Sequence, residues 1–110
     1  MSQPMQIGAL RTRLVLEAAT RNGDGGGGAS VTWTAVDEVW ARVAPATGTE
    51  SFVLDRIAGK VSHEIVIRYR DDVTLDKRFR AGERIFDIRA AFDPDGRQQW
   101  VRCLAEERDL

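Results

Sequence analysis

The chain has 110 residues, enough for a single domain whose core removes roughly two-thirds of the unfolded surface from water. Its 16 Lys and Arg against 17 Asp and Glu leave a net charge of −1, which excludes the basic footprint of a protein that binds DNA electrostatically as a free monomer. The one cysteine, Cys103, excludes an internal disulfide and any Cys/His zinc spacing, and fits folding in a reducing cytosol.

Residues 1 to 6 read as a flexible tail. Met1-Ser2-Gln3-Pro4-Met5 has neither the basic nor the apolar region of a secretory signal, and no apolar run approaches the roughly 20 residues that span a bilayer. No membrane association is expected. Arg11 to Ala19 alternates, with Leu14, Leu16 and Ala18 on one face and Arg11, Arg13 and Glu17 on the other, the period of a first strand. Asn22 to Gly28 contains four consecutive glycines. Lacking a following Gly-Lys-Ser/Thr it is no phosphate loop, and it predicts a mobile hairpin tip.

Ser30 to Val36 predicts a second strand with Val31, Trp33 and Ala35 together, broken by Asp37-Glu38. Val39 to Val43 predicts a third, ending at Pro45, which cannot donate to a ladder. Thr47 to Lys60 is the one helical candidate. Thr47 or Thr49 could cap it, Glu50 suits its first turn, and Phe52, Val53, Arg56 and Ile57 form a modest apolar stripe. At about 10 residues such a helix is marginal alone, so it is expected to order against a partner. Glu50, Phe52, Val53 and Ile57 are the candidate inter-subunit residues.

Val61 to Arg70 predicts the longest strand, with Val61, His63, Ile65, Ile67 and Tyr69 on one face. Asp71 to Gly82 reads as a polar connection. Arg84 to Ala91 and Gln98 to Ala105 predict a hairpin closed by the turn Asp93-Pro94-Asp95-Gly96, and residues 106 to 110 read as a fraying end. Six alternating segments and one helical period predict an all-β fold, a small antiparallel β-barrel with long loops and at most one short helix.

Residues able to do chemistry are few. His63 and Cys103 are the only nucleophile–base candidates, and both fall mid-strand among apolar neighbours, where a packing role is expected. Asp93-x-Asp95-Gly96 begins like a calcium loop, but its twelfth position is Leu104, so it reads as a turn. Trp33, Trp40 and Trp100 could stack bases on a barrel face; without a basic groove, core or interface packing is the expectation. No catalytic residue, cofactor or metal ligand is predicted.

Taken in order, Ile7-Gly8-x-Leu10-Arg11, Thr32-Trp33, Val39-Trp40-Ala41-Arg42-Val43-x-Pro45, Gly48-x-Glu50, His63-x-Ile65-x-Ile67-Arg68-Tyr69-Arg70, Asp72-Val73, Arg84-Ile85-Phe86-Asp87-Ile88 and Asp93-Pro94-x-Gly96 make a set. That set resembles the head–tail joining family of tailed phages, also called head-completion, head-closure or stopper proteins, and spans Ile7 to about Glu106. The resemblance implies a virion protein of the head–tail neck, assembled in the bacterial cytoplasm. It would form a six- or twelve-fold ring of its own copies between portal or adaptor and tail terminator, help to retain packaged double-stranded DNA, and dock the tail. Phage, prophage and gene transfer agent would all use such a part. On charge, the connection bearing Asp71, Asp72 and Asp76 is the candidate channel-facing loop: its carboxylates would repel a duplex that must later leave. The rival reading is a small monomeric barrel that binds single-stranded nucleic acid or a peptide; a third is an enzyme using His63.

Overall fold

The structure is a computed structural model that describes residues 10–23, 29–46, 56 and 60–108. Six strands follow in chain order: β1 (Thr12–Gly23), β2 (Ala29–Pro45), β3 (His63–Arg68), β4 (Lys77–Ala81), β5 (Arg84–Phe92) and β6 (Trp100–Glu107). They close into an antiparallel barrel in the order β1-β2-β3-β6-β5-β4. The all-β barrel read from the period-two pattern is therefore the fold, although two of the six segments differ from those expected.

The first difference is at Asp37-Glu38. These residues do not break the chain; β2 runs through them for 17 residues. Leu16 pairs with Asp37 and Glu17 with Ala35, so Val36 is an extra residue, a β-bulge. One inserted residue exchanges the faces of a strand whose side-chain period is two. Val39, Ala41 and Val43 consequently pack on the barrel interior, while Ala35 and Trp33 lie opposite Glu17 and Ala19 on the exterior. All five positions are odd-numbered, so simple alternation could not separate them.

The second difference is β4, which falls inside the stretch expected to be a connection. Lys77-Arg78-Phe79-Arg80-Ala81 carries one large apolar side chain among three cations, too little to register as a strand. Yet Phe79 is fully buried, opposite Leu16 on β1 and Phe86 on β5. β4 thereby closes the barrel and removes the open edges that β1 and β5 would otherwise present. At the far end, β6 continues through Glu106 and Glu107, which pair with Asp87 and Phe86.

The interior is filled by Leu14 and Leu16, Ile65 and Ile67, Phe79, Phe86 and Ile88, and Val101, Cys103 and Ala105. Tryptophan has no place there. Trp40 is 51% exposed and Trp33 and Trp100 are half-buried on the outer surface, so of the core or interface packing expected for them the core place is not taken. Trp40 alternates with the inward Val39 and Ala41, Trp100 precedes the inward Val101, and Trp33 lies beyond the bulge, so period two turns all three outward. Tyr69, expected on the inward face, lies just past the end of β3 and is 38% exposed. Of the expected Thr47–Lys60 helix, Arg56, with helical backbone, and Lys60 are described. Glu50, Phe52, Val53 and Ile57 lie outside the described residues, as do most of the glycine-rich tip and the tail.

Candidate functional site

The acidic connection leaves β3 at Tyr69, whose N–H donates to the Gln99 carbonyl at 3.0 Å. Arg70 then organises it. Its guanidinium donates to both Asp72 oxygens, Nε to Oδ1 at 2.8 Å and Nη2 to Oδ2 at 2.9 Å, and Nη1 reaches Asp37 Oδ2 at 2.8 Å. Such a two-pronged Arg–carboxylate contact is geometrically specific as well as strong. It ties the connection to the β2 bulge and holds both carboxyls below the ordinary aspartate range. Val73 is buried beneath. Asp76 accepts from the Thr74 hydroxyl, which lowers its pKa, and lies 3.8 Å from Lys77 Nζ.

The three predicted carboxylates are thus brought onto one short segment but differ in state. Asp72 is committed to Arg70, whereas Asp71 and Asp76 are exposed. Beside them a cleft of about 500 Å³ opens between β2 and the residues after β3, with Trp40, Tyr69, Arg68 and the Arg70 clamp in its walls.

The opposite mouth of the barrel holds His63. Its ring meets Phe86 edge-on at 5.2 Å, Nδ1 is 2.9 Å from Ser62 Oγ, and Nε2 is 3.9 Å from Glu107 Oε1. Burial pushes the imidazole below its ordinary pKa, with Glu107 opposing and Arg84 adding to the shift. Ser62 Oγ already accepts the Glu107 N–H at 2.7 Å. Cys103 sits in the core, where burial pushes its thiol up to about 12, so the thiolate a nucleophile needs is not formed at neutral pH. His63 lies across from Ala105 in the β3–β6 ladder, and Cys103 lies across from Ile65.

The Asp93 turn is likewise occupied from within. Asp93 accepts the N–H groups of Asp95, Gly96 and Gln98 at 3.3, 3.0 and 2.8 Å, and Gly96 takes the positive φ of 74° that closes the turn. Among the described residues, no three His, Cys, Asp or Glu side chains are grouped so as to hold a metal ion.

Sequence reasoning missed two clusters. On the outside of β1 and β4, buried Glu17 accepts from Arg78 Nε at 2.8 Å and Arg80 Nε at 2.9 Å, and the Arg78 guanidinium lies 4.0 Å from the Trp33 ring centre. Burial raises the Glu17 pKa, but the two arginines outweigh it and leave the carboxyl below its ordinary value. On the outside of β2, Arg13 stacks on Trp40 at 4.7 Å. The outward place of Glu17 was legible from alternation; the bulge at Val36 and the partners that β4 supplies were not.

Comparison with known proteins adds to this geometry. The sequence pattern of the family described as phage head completion protein matches residues 5–108. A chain from the virion of a native gene transfer agent particle is 35% identical, with 96% of this chain and 98% of that one covered and a TM-score of 0.67. The solution structure of protein SF1141 from Shigella flexneri 2a is 26% identical, with 94% and 96% covered and a TM-score of 0.74. No curated protein is similar enough to count as a relative.

Proposed function

The chain belongs to the phage head completion protein family, and from that premise we propose that it completes the neck between head and tail as a ring of six or twelve copies. In this reading the ring sits beneath portal or adaptor, helps to keep packaged double-stranded DNA inside, and offers the surface on which the tail terminator docks. The observation that carries the reading is the family match across residues 5–108, seconded by a gene transfer agent virion chain of matching length and fold.

The chemistry of the barrel supports a structural role. Its one thiol is held protonated in the core, and the Ser62 hydroxyl beside His63 is engaged by backbone. Ion pairs join strand to strand: Glu17 to Arg78, Arg84 to Glu107 and Glu64 to Arg102, at 2.8, 2.8 and 2.6 Å. Such links favour a part that must hold one shape when assembled.

For the channel we keep the loop of Asp71, Asp72 and Asp76. Arg70 fixes Asp72 and so sets the loop's path, which leaves Asp71 and Asp76 as the carboxylates able to face a duplex. Six or more copies would ring the DNA with negative charge, obstructing it without the salt-dependent grip of phosphate contacts. The Glu50, Phe52, Val53 and Ile57 segment is proposed to meet the neighbouring subunit. Electron cryomicroscopy of particle necks tests the ring: a rotationally symmetric layer of barrels between portal and tail is expected. Location of the chain anywhere else in the particle would overturn it.

A further inference from the structure

We propose that the outer face of β1, β2, β3 and β6 is a docking surface for an acidic segment of another virion protein, an inference that rests on the virion reading above. Strand register builds this surface. Arg13 on β1 is paired with Trp40 on β2, and Arg68 on β3 with Trp100 on β6. The Ala41–Ile67 pair places Trp40 and Arg68 one step further along adjoining strands. Cation and indole thus alternate across four strands spaced about 4.8 Å apart. Arg13 covers one side of the Trp40 ring at 4.7 Å, yet the residue remains 51% exposed.

Charge on this face is unbalanced. Flanking the Arg13-to-Trp100 row, Arg13, Arg42, Arg68 and Arg102 stand against Glu38 and Glu64; Glu64 is held by Arg42 and Arg102, so Arg13 and Arg68 are the cations left to a partner on a chain whose net charge is −1. Away from the row, carboxylates are matched by arginines: Glu17 is bound by Arg78 and Arg80, Asp87 by Arg108, and Glu106 by Arg89. Exposed Trp beside Arg is the composition of interface hot spots, where an apolar contact is ringed by charge-assisted hydrogen bonds.

The occupant follows from what the face offers. Carboxylates would meet Arg13 and Arg68, while an apolar side chain, which the rim of Asp37, Glu38, Asp71 and Asp72 does not repel, would cover Trp40 and enter the cleft of about 500 Å³ between it and Tyr69. Duplex DNA presents phosphates but keeps its base faces stacked, so it leaves Trp40 and Tyr69 unused. A second copy fits less well, because Asp37, Asp72, Glu17, Asp87 and Glu106 are already engaged by the chain's own arginines, and the exposed Asp71 and Asp76 are assigned above to the channel.

The test uses whole particles in which Tyr69 is replaced by the photo-crosslinker p-benzoylphenylalanine. Irradiation is expected to join it to one other virion protein, at a segment rich in Asp or Glu. The pair Arg13→Glu with Arg68→Glu should cut the yield about tenfold or more, as reversal of interfacial charges does. Arg21→Glu, exposed on β1 away from the row, should leave it unchanged. Circular dichroism of the purified variants confirms that each keeps its β-spectrum, and all three lie at exposed positions. Crosslinks to DNA or to a second copy would overturn the proposal, as would their absence from particles that contain the chain, or a yield indifferent to the arginine reversals. Particles without the chain would instead overturn the virion reading, and this inference with it.

Discussion

Arg70 grips Asp72 through two parallel hydrogen bonds of 2.8 and 2.9 Å, although only one residue separates them in sequence. The contact turns a stretch that reads as a run of free acids into a shaped loop anchored to Asp37 on β2. It divides the proposed channel-facing carboxylates into one that builds the loop and two that act outward.

Different substitutions in that loop should therefore have different effects. Asp71→Asn with Asp76→Asn is expected to leave melting temperature within a degree or two, since surface changes are typically worth under about 0.5 kcal/mol, and to alter DNA retention or release. Asp72→Asn should instead loosen the connection, read as faster amide exchange from 70 to 74. Unaltered DNA delivery by the double variant would remove the acidic-gate idea and leave the loop a connector.

Glu17 is a pillar of the exterior. Removing its charge by Glu17→Gln leaves Arg78, itself 8% exposed, without its anion, and should cost about 3 kcal/mol. Replacing both, as Glu17→Met with Arg78→Leu, should recover much of that loss, because an apolar pair avoids the desolvation of two charges. Urea unfolding of the single and double variants measures both. A Glu17→Gln midpoint equal to the parent's would show that the Trp33 ring and a neutral amide oxygen suffice to hold Arg78.

His63 gives a pH signature. Its folded pKa lies below the ordinary value of about 6.5, so the unfolded chain binds the extra proton as pH falls. The stability conferred by neutral His63 is full above about 6.5 and declines as pH drops toward its lower folded value. Thermal melts between pH 7 and 5 should show this decline, and His63→Gln should flatten it. Carboxylates lowered by arginine partners, such as Asp72 and Glu107, lose their contribution at lower pH, which keeps the two effects apart.

Much of the architecture was legible because barrel strands alternate. Leu14 with Leu16, Ile65 with Ile67, and Phe86 with Ile88 each announce an inward face, and each is buried. The single-residue insertion at Val36 was invisible as such, since it conserves the odd-numbered pattern while exchanging its meaning. β4 was hidden because its outward positions are arginines and Phe79 is its one large inward side chain, with only small Ala81 beside it on the core. Trp33 could not be placed from sequence, for its exposure depends on that bulge, whereas Trp40 follows from alternation with Val39 and Ala41. The acidic residues were found by charge, but their division into one clamped by Arg70 and two exposed groups required Arg70 in three dimensions.

The central claim is that this barrel completes the head so that DNA stays in and the tail goes on. The most direct measurement is the DNA content and tail occupancy of particles purified from a strain lacking the gene. The account predicts heads that package DNA, then lose it on isolation, and carry no tails, with both defects restored by supplying the protein. Filled, tailed and fully transducing or infectious particles from that strain would contradict it.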